Sequence, residues 1–194
     1  MNIFSPSLRY SGLPSHTMKQ LSIFIFIALV LTVFGACKNP DQGIVEATVP
    51  TAPMSTPEGF SDKGIQRETM DLLLTQGDHI DYIFNTIPLS MNQDGQNAMV
   101  QDLRFVSRNP MPGIPSGCQP LARKIYLGQG EILLESDIYF SDGCLFQIYI
   151  KDEKPLFGNL LSQEGITFYK NLMLEARQSM PENVRQQYSI PEGI

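Results

Sequence analysis

Glu135 and Asp137 stand two residues apart in a segment of alternating polarity, so a strand there would send both carboxylates to one face. Along a strand the pair would sit about 6–7 Å apart, a separation usable for glycoside hydrolysis, with Glu131 nearby, or for a divalent cation. The same two residues can equally keep one face of a sheet wet. His79 lies between Asp78 and Asp81 and invites a reading as a general base held by a carboxylate. Residues 78–87 read as a short helix, however, and the first turn of a helix is an ordinary place for a solvated histidine. Any histidine-dependent triad beyond residue 37 would have to be built on His79 alone, because the other histidine is His16.

The remaining patterns exclude more than they suggest. The chain has no GxSxG, HExxH, Walker A or CxxCH motif, and residues 113–117, GIPSG, have the wrong order for a nucleophile elbow. Gly128-Gln129-Gly130 begins like a dinucleotide fingerprint, but Leu133 stands where the third glycine belongs. Asn92, Asp94 and Gly95 imitate the middle of a calcium loop, while Ser90 and Gln101 occupy its acidic ends. The sequence therefore predicts no catalytic residue, no metal site and no cofactor. Tyr139, Tyr149 and Leu145, read onto the same face as Glu135 and Asp137, predict instead a partner surface with an aromatic centre and a charged rim. Three function classes follow: a binding module for a protein or peptide, a glycan-acting enzyme using the strand carboxylates, or a carrier of a small apolar ligand. The last would need a cavity lined by Phe84, Phe105, Phe146 and Phe168.

Where the protein acts is easier to read. Residues 21–36, LSIFIFIALVLTVFGA, form an unbroken apolar run behind Met18 and Lys19 and end at Cys37. A positive start, an apolar core and small residues before the cysteine define an export signal. Phe34-Gly35-Ala36-Cys37 resembles the lipobox of bacterial lipoproteins, with Phe where that family usually has Leu. The resemblance implies removal of residues 1–36, lipidation of Cys37 and a membrane-anchored protein of the bacterial cell envelope. Lys38 is not the Asp that resembles an inner-membrane retention signal, which points to the outer membrane, facing the periplasm or the surface. The leader 1–17 is polar and patternless, which suggests Met18 as the true start. An uncleaved anchor is the competing reading, since residues 20–37 are at the short edge of a bilayer span.

The mature chain would have 158 residues, enough for one domain. Loss of Arg9 and Lys19 leaves 12 basic residues against 20 acidic ones, a formal charge of −8. Such a chain, without a Lys/Arg run or a tryptophan, is a poor partner for nucleic acid, whose affinity rests on neutralised phosphates. With Cys37 assigned to lipid, Cys118 and Cys144 remain, and an even pair in an exported protein predicts a disulfide. Closing a loop of about 27 residues would add roughly 3–4 kcal/mol in the chain-entropy model.

The elements that must position these groups fall into two halves. Residues 37–60, with Pro40, Pro50, Pro53 and Pro57, read as the lipidated cysteine and a flexible tether, and 61–194 as a single domain. Three helices are expected first: one capped by Ser61 and stopped by a left-handed Gly77, one over 78–87, and one starting at Ser90 or Asp94 with Met99, Leu103 and Val106 on its inner face. The period then shortens to two, giving strands over 124–127, 131–140 and 144–150. A three-residue loop at 141–143 would align Ile132, Leu134, Ile138 and Phe140 with Cys144, Phe146, Ile148 and Ile150 on one apolar face. Ser162 caps a closing helix with the stripe Ile166, Tyr169, Leu172, Met173 and Ala176, and a short helical turn starts at Pro181. The expected class is α+β: N-terminal helices, an antiparallel meander, and a C-terminal helix packed on one sheet face.

Overall fold

The computed structural model describes residues 46–182, and the domain is α+β. Its centre is a seven-stranded antiparallel sheet in the order β3-β2-β6-β7-β8-β9-β4. These strands are β2 (His79–Phe84), β3 (Ser90–Asp94), β4 (Val106–Met111), β6 (Pro120–Gly128), β7 (Glu131–Ser141), β8 (Cys144–Lys151) and β9 (Lys154–Leu161). Two short strands, β1 (Met54–Ser55) and β5 (Ile114–Pro115), pair separately. Helices α1 (Arg67–Gln76), α2 (Gln96–Arg104) and α3 (Gln163–Ser179) complete the domain. Residues 1–45, which hold the run read as an export signal, Cys37 and the start of the expected tether, lie outside the described residues, as does all but the start of the turn expected at Pro181. Among the described residues no helix is long and apolar enough to cross a membrane.

The closing helix forms for the reasons its sequence gives. Ser162 accepts a hydrogen bond from the Gly165 N–H at 3.1 Å, and Ile166, Tyr169, Met173 and Ala176 are buried. Gly165 lies so close to α2's end that a Cβ there would strike the Phe105 carbonyl, and the rings of Phe105 and Phe168 stack at 4.4 Å. Tyr169 reaches further in and meets Phe140 of β7 at 5.7 Å between ring centroids. The helix thus packs on the sheet face that carries Leu134, Ser136, Ile138 and Phe140.

Several expectations are corrected by the sheet. Residues 78–87 are not a helix: Ile80, Tyr82 and Phe84 alternate as the buried face of β2, which pairs with β6 through Tyr82 opposite Lys124. The third helix starts later, at Gln96, and Ser90–Asp94 is a strand. The first starts at Arg67, and Gly77 ends it in an extended conformation, φ −72° and ψ 133°, not a left-handed one. Glycine is needed at 77 for a different reason, because a Cβ would sit 2.6 Å from the Leu73 carbonyl oxygen and 2.9 Å from the Met99 sulfur.

The β7–β8 connection is also corrected. Ser141 pairs with Cys144 and Phe140 with Leu145, so the turn has two residues, Asp142 and Gly143, and the apolar rows of the two strands face opposite ways. Leu145, Gln147 and Tyr149 share the helix-covered face with Phe140 and Ile138. Phe146, Ile148 and Ile150 point to the other side with Tyr139, Asp137 and Glu135. This register is allowed because residues 145–150 are buried without interruption, so β8 has no polar face to keep in water. A bulge between Tyr126 and Leu127 takes Ile132 out of the inner row and leaves it 61% exposed.

Residues 46–60, read as part of a tether, lie on this domain. Ala47 is buried, Met54 pairs with Pro115, and Phe60 packs against the core. Ser61 then bridges to Phe157 beside β9, and its N–H donates to the Leu156 carbonyl at 2.7 Å.

Candidate functional site

Two constellations of polar groups stand out, one inside the domain and one on the uncovered part of the sheet. The inner one is built from three neighbouring strands and a helix. Lys124 on β6, Ser136 on β7 and Gln147 on β8 occupy inward positions where the strand period calls for apolar side chains. Asp102 follows Ala98 and Met99 on the buried side of α2. All four polar residues are essentially inaccessible to solvent.

Their hydrogen bonds close on one another. Lys124 Nζ donates to Asp102 Oδ1 at 2.6 Å and to Gln147 Oε1 at 2.9 Å. The hydroxyls of Tyr82 and Tyr126 donate to Asp102 Oδ1 and Oδ2 at 2.9 and 2.7 Å. Gln147 Nε2 donates to the Tyr126 hydroxyl at 2.9 Å and to Ser136 Oγ at 3.0 Å. The orientation of the carboxamide is dictated by chemistry, since an ammonium has no acceptor and must face Oε1. Nζ also lies 5.4, 6.0 and 5.6 Å from the ring centres of Tyr82, Tyr126 and Tyr169, close enough for cation–π attraction.

Burial pushes the Lys124 ammonium below its ordinary pKa, and the negative charge and hydrogen bond of Asp102 oppose that shift. Burial, reinforced by the charge of Asp102, holds Tyr82, Tyr126, Tyr149 and Tyr169 above the ordinary phenol range, so all four stay neutral. The Tyr169 hydroxyl is buried without a hydrogen-bond partner, while that of Tyr149 faces Tyr126 outside good hydrogen-bond geometry.

The outer constellation lies on the opposite face, over β3, β2, β6 and β7. Cross-strand register sets Ile83, Arg123 and Asp137 in one row and Asp81, Ile125 and Glu135 in the next. Arg123 grips Asp137 with two hydrogen bonds, 2.9 and 3.1 Å, and the paired carboxylate raises the guanidinium pKa. Ile83 is 47% exposed, and Ile125 and Leu127 are half-buried. His79 sits at the end of this face. Its Nδ1 meets Asp94 across to β3, and its Nε2 meets Asp81 at 2.8 Å.

Those hydrogen bonds, the one to Asp94 first and that to Asp81 second, raise the His79 pKa above its ordinary 6.5. A raised folded pKa stabilises the fold fully below about 6.5 and loses that contribution as pH rises through the folded value. Thermal stability is therefore expected to fall as pH is raised from below to well above 6.5, and the His79→Gln variant should show a flatter profile over that window. Equal slopes in the two proteins would remove this assignment.

The structure separates residues that the sequence had placed together. Glu135 and Asp137 do share the outer face, but Tyr149 lies on the inner face, fully buried, and Tyr139 is buried where it stacks on Phe146 at 4.4 Å. The two tyrosines cannot form one exposed aromatic centre, because the two-residue turn reverses the facing of β8 relative to β7. Asp137 is held by Arg123, so Glu135 and Asp137 are not a matched acid pair. Phe146 points away from Phe105 and Phe168, so the four phenylalanines do not line one cavity. A depression of about 230 Å³ near the β8–β9 turn is lined instead by Ile132, Leu133, Glu135, Ile150 and Lys151 among others. The predicted disulfide is present: Cys118 and Cys144 are bonded, with Cα atoms 6.0 Å apart. Among the described residues no group of His, Cys, Asp and Glu is placed to hold a metal ion.

The inner cluster went unread in the sequence although a signal for it exists. Asp102 sits three and four residues after Met99 and Ala98 on the buried stripe of a helix, and Lys124 and Gln147 occupy buried phases of their strands. Comparison with protein families, with curated proteins and with solved structures returned no match.

Proposed function

We propose that this chain is a lipid-anchored protein of the bacterial cell envelope whose domain binds a protein or peptide partner and turns over no substrate. Anchoring rests on the run 21–36 and on Phe34-Gly35-Ala36-Cys37, which resembles a lipobox. A disulfide between Cys118 and Cys144 agrees with an oxidising compartment. The binding reading is carried by the outer sheet face, where Ile83, Ile125 and Leu127 lie among charged groups. Asp81, Asp94, Glu135 and Asp137 outnumber Arg123 and His79 there, so the complementary partner presents apolar side chains flanked by Lys or Arg.

Two experiments test the two halves of this reading. Cys37→Ala should release the protein from membranes or leave it as full-length precursor, and acyl-chain labelling should disappear; unchanged labelling would sink the lipoprotein assignment. A random peptide library panned on the purified domain should enrich apolar sequences flanked by basic residues. Ile83→Asp, at a position already half in water, should weaken those peptides about tenfold or more with folding intact. Enriched peptides that bind the variant equally well would show that this face is not the binding surface.

A further inference from the structure

The inner cluster brings an amine, a carboxylate, a phenol and a carboxamide into one closed chain of hydrogen bonds. Lys124 Nζ touches both Asp102 and the Gln147 carbonyl oxygen, and Tyr126 joins Asp102 to the Gln147 amide nitrogen. We propose that this cluster is a self-modification site, at which Lys124 and Gln147 condense into an intramolecular amide with release of ammonia.

The reacting groups lie along one chain of hydrogen bonds. The Nζ ammonium loses one proton to Asp102, which frees its lone pair. The amine attacks Cδ of Gln147, the atom bonded to the Oε1 that Nζ already meets at 2.9 Å. The new Nζ–Cδ bond forms, the Cδ–Nε2 bond breaks, and Nζ gives up a second proton to Asp102, which has by then passed the first to Tyr126. Nε2 leaves as ammonia, taking its proton from the Tyr126 hydroxyl, which recovers one through Asp102. An ammonium, a carboxylate, a phenol and a primary amide become a secondary amide, a carboxylic acid, the same phenol and ammonia. Nothing is oxidised or reduced, and no co-reactant is needed.

Three features favour bond formation over a static ion pair. Proximity is supplied by the fold, since an amine held 2.9 Å from the oxygen of an amide reacts with it as if at very high concentration. The geometry of the sheet suits the link: Lys124 and Gln147 stand on strands either side of β7, Lys124 opposite Ser136 and Gln147 opposite Ile138 on the same face. The two side chains already meet at 2.9 Å, and the small Ser136, opposite Lys124 and hydrogen-bonded to Gln147 Nε2, leaves the path between them open. The reaction also removes a charge pair from a dry interior, where isolated charges are costly. Once ammonia escapes, the buried amide is shielded from water and hydrolysis is blocked.

The test is the mass of the purified domain, expressed without its signal, reduced and denatured. It is expected to be about 17 Da below the sequence mass, with tandem spectra placing the bond between the Lys124 and Gln147 peptides. Asp102→Asn and Gln147→Leu should each restore the full mass, with folding checked by formation of the Cys118–Cys144 disulfide. A wild-type protein of unreduced mass after prolonged incubation overturns the proposal whether or not the variants fold. A loss of about 18 Da that links Lys124 to Asp102 would overturn it as well, because it makes Asp102 the acyl donor.

Discussion

Replacing Asp102 with alanine while Lys124 stays in place is expected to cost about 3–5 kcal/mol of folding stability, because it strands an ammonium in the interior. That is a large part of the roughly 5–15 kcal/mol that a domain of this size possesses. Asp102→Leu with Lys124→Met removes both charges together and should recover much of the loss. It will not recover all of it. The hydroxyls of Tyr82 and Tyr126 both donate to Asp102; Tyr82 keeps Gln93 Oε1 at 3.2 Å as a second acceptor, whereas Tyr126 is left without one, at a cost of about 1–3 kcal/mol. Adding Tyr126→Phe should therefore bring the triple variant above the double one, since Gln147 Nε2 keeps Ser136 Oγ as an acceptor. Urea denaturation of the three proteins gives the order directly, and a double variant less stable than Asp102→Ala would show that charge is not what dominates the cluster. None of these variants can form the Lys124–Gln147 amide, so their order is independent of it, and the loss of about 3–5 kcal/mol is counted from the unlinked Lys124–Asp102 pair.

Removing the disulfide through Cys118→Ser with Cys144→Ser is expected to lower stability by about 3–4 kcal/mol in the chain-entropy model, for cysteines 26 residues apart. For a domain of this length each kcal/mol corresponds to about 2–4 °C in melting temperature. The bond ties the connector between β5 and β6 to the first residue of β8, two segments with no strand pairing between them. Reduction of the wild-type protein should reproduce the melting shift of the double serine variant. A shift under about 2 °C in both would mean that the unfolded chain is already compact across this loop.

The sequence was most legible where one local signal settled the outcome. Ser162, followed by apolar residues at helical spacing, defined α3 and its buried stripe, and alternation across 131–150 defined β7 and β8. Residues 80–87 show why other parts were not. Ile80, Ile83, Phe84 and Ile87 fit a helix, while Ile80, Tyr82 and Phe84 fit a strand equally well, and pairing with β6 decides between them. Val106–Met111 contains Pro110 and only two apolar residues, so β4 gave no strand signal at all. The register of β7 against β8 was misread through one assumption, that each strand has one apolar face; β8 has two. The inner cluster required knowing that Asp102 and Lys124, on a helix and a strand, would meet. No spacing within either element carries that information.

The two outermost strands limit what this sheet can join. β4 ends one side with Pro110, which has no N–H to offer, and its pairing with β9 shifts register between Val106 and Pro110. β3 ends the other side with five residues, SMNQD, alternately half-buried and exposed. A second chain adding itself as an extra strand would meet a missing donor and a broken ladder at one border, and a short polar ribbon at the other. Where copies are crowded together, growth by strand addition into aggregates is thus discouraged at both borders, and contact with other molecules is turned toward the faces of the sheet.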